Sequence, residues 1–225
     1  MYAIATGPLA WIAFTVFFVG LLVRLIKYIR GLDWRADRVT YRVNVSYGIK
    51  GALRSIFSWL LPYKTIGWRA HPGFTVIFFV FHIGLLAAPI FLQAHNIMLL
   101  DKFGFSLWTL PDAAADLLTI GVMVAAVFMI LRRIALPEVR ILTDWKDIAV
   151  IVIAVAPFVT GFLAFHEIGD YDFWLTAHIL CGEILLIAIP FTKLSHFLLY
   201  FLSRGQLGMD FGIKRGGMKN KGFAW

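Results

Sequence analysis

Long apolar runs separated by shorter basic connections are the main pattern along this chain. Five runs are long enough to cross a bilayer as helices, which takes about 20 residues each. They cover residues 7–28, 71–94, 112–134, 146–166 and 173–202. The chain contains no internal repeat and no low-complexity tract. This pattern predicts an all-α membrane protein built as a bundle of five membrane-spanning helices.

The composition agrees with this class. Of the 225 residues 60% are hydrophobic and 15% are charged, and the mean hydropathy is +0.81. A soluble domain of this length could not bury so much apolar surface, whereas lipid can solvate it. No charged residue precedes Arg24, so the first run is predicted to be an uncleaved signal-anchor. Cys181 is the single cysteine, which excludes a disulfide or a cysteine metal cluster within the chain.

The positions of the basic residues predict the orientation. Twenty of the 21 Lys and Arg residues lie on one side of the five-span topology, and Lys102 lies on the other. The positive-inside rule then places the N-terminus outside and the C-terminus in the cytoplasm. The net charge of +8 is therefore explained by topology, and nucleic-acid binding is not needed to explain it.

Two segments outside the spans have their own patterns. Residues 51–61 mix large apolar side chains with serines and Arg54, which predicts a short interfacial helix that ends at Pro62. Residues 1–204 form the predicted membrane domain. Residues 205–225 are expected to be a basic, glycine-rich cytoplasmic tail that is a poor helix former.

Two predicted spans carry two histidines each. His71 and His82 are on the second span, and His178 and His196 are on the fifth. At 100° per residue, 11 residues return to within about 20° of one direction and 18 residues complete about five turns, so each span carries both histidines on one face. Because the two spans run antiparallel, His71 matches His196 in depth and His82 matches His178.

Two stacked pairs of histidines are the arrangement that holds two b-type haems between helices. The rise between the histidines is about 16.5 Å in the second span and about 27 Å in the fifth. Helix tilt and a kink at Pro190 would absorb part of the difference. The alternative is that these histidines are hydrogen-bonded core residues or members of a proton relay. His95 and His166, at span ends, are interpreted as ordinary interface residues.

The segments that carry these pairs are AHPGFTVIFFVFH, at residues 70–82, and AHILCGEILLIAIPFTKLSH, at residues 177–196. They resemble the respiratory nitrate reductase gamma-subunit family, and the resemblance extends over residues 7–204. The tail and the long basic first connection are more similar to related membrane cytochromes of sulfate-reducer redox complexes, the Dsr, Hmc and Tmc types.

The resemblance implies a dihaem cytochrome b subunit of a membrane oxidoreductase complex in a bacterial or archaeal inner membrane. It would exchange electrons between menaquinone, or another quinone, and a cytoplasmic iron–sulfur subunit of heterodisulfide-reductase-like or nitrate-reductase-like type. Further redox subunits could join this complex. His71 and His196 would bind the haem nearer the cytoplasm, and His82 and His178 the outer one. Lys102 would bind quinone near the outer haem; alternatively, it is a solvated loop lysine beside Asp101.

Other polar residues have open roles. Glu183 lies about 140° around the helix from His178, which suggests a proton-path or structural role away from the ligand face. Lys193 is expected to reach the membrane interface or to pair with a haem propionate, and Arg54 and Arg69 are further propionate partners. Two rival functions remain: a non-haem quinone-binding membrane anchor subunit, and a proton-conducting or transport protein. A transporter would usually show broken helices or inverted repeats, which the sequence does not suggest.

Overall fold

The computed structural model describes residues 2–32 and 45–214, and within these ranges it contains helices and no β-strand. Arginines 35, 38 and 42 of the basic first connection lie outside the described residues. The predicted tail also lies outside them from residue 215 onward.

The described helices occur in the following order along the chain. A helical turn at Tyr2–Ile4 and a π-helical turn at Ala5–Leu9, which contains Pro8, lead into the first long helix. The helices are α1 (Ala10–Arg30), α2 (Val45–Leu60), α3 (Ile66–Ala70), α4 (Pro72–Phe91), α5 (Gln93–Phe103), α6 (Asp112–Ala135), α7 (Pro137–Arg140), α8 (Trp145–Phe165), α9 (Tyr171–Phe191) and α10 (His196–Lys214). A 3₁₀ turn, Lys193–Ser195, separates α9 from α10.

Five helical segments in the described part of the chain are long and apolar enough to cross a membrane. They are Tyr2–Arg30, Pro72–Phe91, Asp112–Ala135, Trp145–Phe165 and Tyr171–Phe191. At most 33% of the most apolar window of any of them is buried within the chain, so most of that surface is left for lipid. The prediction of an all-α, multi-pass membrane architecture is confirmed at this level.

The predicted fifth span is wrong as one continuous helix. α9 ends at Phe191, and Thr192 has an extended backbone with φ −116° and ψ −176°. The Thr192 hydroxyl accepts a hydrogen bond from Leu194 N at 3.2 Å. This local bond starts a new helical segment instead of continuing the old one. His178 and His196 therefore lie on different helices, and the argument that 18 residues place them on one face does not hold.

A helix is present where the interfacial helix was predicted, and it is longer than expected, because α2 begins at Val45. The face of α2 that packs on α10 carries four small buried residues, Gly48, Gly51, Ser55 and Ser58. A Cβ added to Gly208 of α10 would lie 2.6 Å from the Ser55 Cβ, so the two helices need glycine at this crossing. Small residues allow helices to approach this closely.

The expectation that the tail is a poor helix former is wrong for residues 205–214, because α10 continues to Lys214. Glycine in a helix interior costs about 1 kcal/mol relative to alanine. Packing of Gly208 against α2 offsets that cost, and sequence reasoning from propensity did not include this packing.

The chain divides into two compact units. The first comprises Met1–Phe17 and Ile77–Ala188, and the second comprises Phe18–Val76 and Ile189–Trp225. In the first unit α6 packs along α8. The buried residues of these two helices include Ala115, Val122 and Ala126 on α6 and Ala154 and Phe158 on α8. In the second unit α2 packs along α10. His82 and His178 fall in the first unit, and His71 and His196 fall in the second.

Candidate functional site

Four histidines share one hydrogen-bonding arrangement: the ring Nδ1 lies against a backbone carbonyl oxygen. The pairs are His82 with Phe78 at 2.8 Å, His95 with Pro89 at 2.9 Å, His178 with Pro157 at 2.8 Å and His196 with Lys193 at 2.9 Å. A carbonyl oxygen can only accept, so in the neutral ring Nδ1 carries the proton and Nε2 carries the lone pair. Metal-ligating histidines typically have this arrangement, with one ring nitrogen donating to a carbonyl or carboxylate.

His178 is oriented by the neighbouring helix α8. Its Nδ1 donates to the carbonyl of Pro157, and its ring passes over Gly161 on the same helix. A Cβ added to Gly161 would lie 2.8 Å from the His178 Nδ1 and 2.9 Å from its Cε1. The absence of a side chain at Gly161 thus provides the space that the imidazole occupies. The sequence offered no signal for this, because Gly161 reads as one small residue in an apolar helix.

His82 is oriented within its own helix, α4. Its Nδ1 donates to the carbonyl of Phe78, one turn earlier. The Phe78 ring lies 4.0 Å from the His82 ring, centroid to centroid, at an interplanar angle of 31°. The Phe81 ring contacts His82 edge-on at 5.4 Å. The two aromatic rings restrict the rotation of a half-buried imidazole.

His95 lies against a predicted ligand, which the sequence analysis did not anticipate. Its ring stacks on that of His178 with a centroid distance of 5.9 Å and an angle of 17°. The corner between α4 and α5 that carries His95 is held by Asn96, which is 1% exposed. Asn96 donates to the carbonyls of Ile90 and Leu92 at 2.8 and 3.0 Å and accepts from Leu107 N at 2.8 Å. The polar run that follows the second span was the available signal, but the ring contact itself is tertiary.

His166 is engaged differently. Its Nε2 lies 3.1 Å from Asp116 Oδ1, and both side chains are about one-third exposed. In His166 a carboxylate therefore lies against Nε2, whereas in the four histidines above a backbone carbonyl lies against Nδ1. This fits the interpretation of His166 as an interface residue.

His71 immediately precedes α4 and is exposed. Its backbone carbonyl accepts from Thr75 N at 3.0 Å and lies 3.0 Å from the Thr75 hydroxyl. The same hydroxyl lies 2.8 Å from the carbonyl of Trp68. Thr75 is fully buried, so these bonds hold the first turn of α4 and the residue before it.

His196 is the first residue of α10 and is exposed. The preceding turn is closed by two bonds of Thr192: its hydroxyl accepts from Leu194 N, and its carbonyl accepts from the Ser195 hydroxyl at 2.9 Å. Since the His196 Nδ1 donates to the Lys193 carbonyl, the direction of its ring depends on the geometry of this turn.

The segments that carry His71 and His196 both contact α2 through side chains. On α2, the Trp59 ring contacts Trp68 edge-on at 5.7 Å and lies 4.8 Å from the Arg204 guanidinium of α10. The Tyr200 hydroxyl of α10 donates to the Ile56 carbonyl at 2.8 Å. Burial raises the pKa of Tyr200 and lowers the pKa of Arg204, as expected for polar groups enclosed between packed helices.

The remaining predicted residues are dispersed. The Lys102 side chain on α5 is 66% exposed, and its Nζ lies 3.8 Å from Asp101 Oδ2. A solvated loop lysine, the alternative interpretation of this residue, would have such an environment. Glu183 is buried, and neither of its carboxyl oxygens has a hydrogen-bond partner among the described residues. Arg54, Arg69 and Lys193 are exposed.

A haem requires fewer protein ligands than a metal ion held by protein side chains alone. The described residues contain no group of three or more His, Cys, Asp or Glu side chains that could hold a metal ion. A bis-histidine haem needs two axial imidazoles per iron, and the porphyrin supplies the other ligands. His82, His178 and His196 have the ring orientation for such a ligand. The pairing of His82 with His178 and of His71 with His196 stays a prediction.

A protein of Nitratidesulfovibrio vulgaris strain Hildenborough, described as "Protein", is 55% identical to this chain over 226 residues, which covers 100% of both chains. No protein-family model matches the chain. No solved structure matches it either. With that identity over the full length, the chain belongs to the same family as this Nitratidesulfovibrio vulgaris protein.

Proposed function

We propose that the chain is a dihaem b-type membrane cytochrome subunit that passes electrons between membrane quinone or quinol and a cytoplasmic iron–sulfur partner of a respiratory redox complex. The observation that carries the proposal is the shared Nδ1–carbonyl arrangement of His82, His178 and His196. His95 has the same arrangement and is not assigned to a haem. Axial haem ligands need Nε2 unprotonated and directed by a second partner.

In this proposal His82 and His178 bind one haem, and His71 and His196 bind the other. Haem iron, when bound, supplies reversible one-electron transfer. The chain itself contributes the orientation of the rings. The Pro157 and Phe78 carbonyls hold the tautomers of His178 and His82, and the turn at Thr192 directs His196.

The orientation proposed is N-terminus outside and C-terminus cytoplasmic, from the distribution of Lys and Arg. It places the connection that contains α2, and also α10, at the cytoplasmic face. Exposed basic residues on and near α2, such as Lys50, Arg54 and Lys64, favour an acidic partner surface there. An iron–sulfur subunit of heterodisulfide-reductase-like or nitrate-reductase-like type is the partner that the resemblance implies.

The quinone site is proposed beside the outer haem. A quinone carries a long isoprenoid tail, so its site must open to lipid while its head group meets polar side chains. His95 supports this placement, because it brings a second imidazole against the predicted ligand His178. Lys102 lies on the same helix as His95, in its last turn.

A pyridine haemochrome assay on the purified chain tests the function directly, together with visible spectra before and after dithionite. We expect two b haems per chain. A colourless protein would refute the proposal and favour the non-haem quinone-binding anchor. A ratio of one haem per chain would mean that one histidine pair is structural, and alanine variants of the individual histidines would identify that pair.

A further inference from the structure

Three residues of α1 contact the chain on both sides of the interruption between α9 and α10. A Cβ added to Gly20 would lie 2.6 Å from the Cβ of Pro190. Arg24 Nε donates to the Pro190 carbonyl at 2.7 Å, and the Tyr28 hydroxyl donates to Gln206 Oε1 at 2.6 Å. Because positions four apart are neighbours on one helix face, one stripe of α1 contacts residues both before and after the interruption.

Arg24 supplies a hydrogen bond that the backbone no longer makes. In a continuous helix, Leu194 N would donate to the Pro190 carbonyl four residues earlier. Here Leu194 N donates to the Thr192 hydroxyl, so the Pro190 carbonyl belongs to the group of unsatisfied acceptors at a helix end. Such a carbonyl is costly in a membrane segment unless another donor replaces the lost one. The Arg24 guanidinium is that donor.

The position of this interruption determines where His196 begins α10. α9 is held at its last turn by Gly20 and Arg24, and α10 is held ten residues after His196 by Tyr28. We infer that Arg24 is a positioning residue for His196, acting through the end of α9 on the direction in which this haem ligand presents its ring. The inference rests on the proposed function, because it assigns His196 to a haem.

The location of Arg24 agrees with this role. It is the first charged residue of the chain and lies within the apolar segment Tyr2–Arg30. A charged side chain there needs a polar partner, and the Pro190 carbonyl provides one. Lys27, on the same helix, is exposed and serves as a matched control for loss of a nearby positive charge.

Two variants separate geometry from charge. Arg24→Lys keeps the positive charge but places a methylene group where Nε donates. Gly20→Ala adds a methyl group against Pro190 and changes no charge. The controls are Lys27→Gln, which removes a charge, and Gly7→Ala, which adds a methyl group where nothing lies within 4 Å. Haem content, the low-spin ferric electron paramagnetic resonance spectrum and the midpoint potentials are measured on the full purified chain.

We expect Arg24→Lys and Gly20→Ala to shift the resonance signal and the potential of one haem, the one that is lost in His196→Ala. The other haem, and both haems of the two controls, should be unchanged.

Unchanged signals in both test variants would overturn the positioning role, while two bound haems would keep the proposed function intact. Equal disturbance of both haems would also overturn it, because the contacts would then serve general packing. Absence of haem from the unmodified chain would remove the proposed function and this inference together. If Arg24→Lys does not accumulate, Gly20→Ala decides.

Discussion

Replacing Gly161 with alanine tests whether α8 orients His178 for haem binding. The new Cβ would lie 2.8 Å from the His178 Nδ1, whereas non-bonded heavy atoms are favourable at about 3.5 Å or more. The imidazole must therefore move away from α8 by about 0.7 Å. Because the Pro157 carbonyl also belongs to α8, the 2.8 Å bond would lengthen beyond the range of a good hydrogen bond.

The energetic effect follows from three contributions. Loss of the hydrogen bond costs about 0.5–1.5 kcal/mol, and overpacking costs about 1–3 kcal/mol. Alanine in place of glycine stabilises a helix by about 1 kcal/mol, which offsets part of this cost. The net destabilisation is therefore about 0.5–3.5 kcal/mol, which is small enough for the protein to accumulate and large enough to displace a ligand ring.

The assay is the pyridine haemochrome ratio together with the reduced visible spectrum of Gly161→Ala. We expect the ratio to fall from two haems to one, with loss of the component that His178→Ala also removes. Gly182→Ala is the control, because it lies on α9 and its added Cβ would meet nothing within 4 Å. If Gly161→Ala keeps both haems with an unchanged spectrum, α8 does not orient a haem ligand at His178 and the reasoning is refuted.

Single alanine variants of the four histidines should fall into two spectral classes, scored by redox titration at a haem absorption band. The pairs are His82 with His178 and His71 with His196; loss of the same component from His82→Ala and His196→Ala would show that the pairing is wrong. Lys102→Ala should slow reduction of the outer haem by a quinol analogue in stopped-flow measurements and leave the absorption spectrum of that haem intact. Rates that match those of the unmodified chain at every quinol concentration would exclude Lys102 from the quinone site. Removal of residues 215–225 should leave both haems bound and release the iron–sulfur partner on purification, since these basic residues favour an acidic surface; normal partner recovery would contradict that role.

Hydropathy and charge were sufficient to predict the spans. A helix in lipid must be apolar over about 20 residues, and this requirement is local in sequence. The structure shifts most predicted ends by a few residues, as at Pro72–Phe91 against residues 71–94. A helix before the second span was also predictable, because residues 51–61 carry large apolar side chains together with serines and Arg54 within one segment.

Two predictions failed for reasons that lie beyond periodicity. The fifth span was predicted to be continuous because residues 173–202 form one long, mostly apolar run. Whether Thr192 continues the helix or caps a new one depends on the hydroxyl bond to Leu194 N. Similarly, the glycine-rich tail was expected to be a poor helix former, but α10 continues to Lys214, and at Gly208 the close approach of α2 leaves no room for a side chain.

The sequence by itself determined the all-helical membrane architecture and which histidines are candidates, because hydropathy and residue type need no knowledge of neighbouring helices. Only the tertiary structure decided how His178 is oriented. The Pro157 carbonyl and Gly161 act on His178 from another helix, and His95 reaches the same ring from a corner far away in the chain. Such contacts depend on how helices pack. A helical repeat specifies the direction of a side chain only within its own helix, and at Thr192 even that repeat is interrupted.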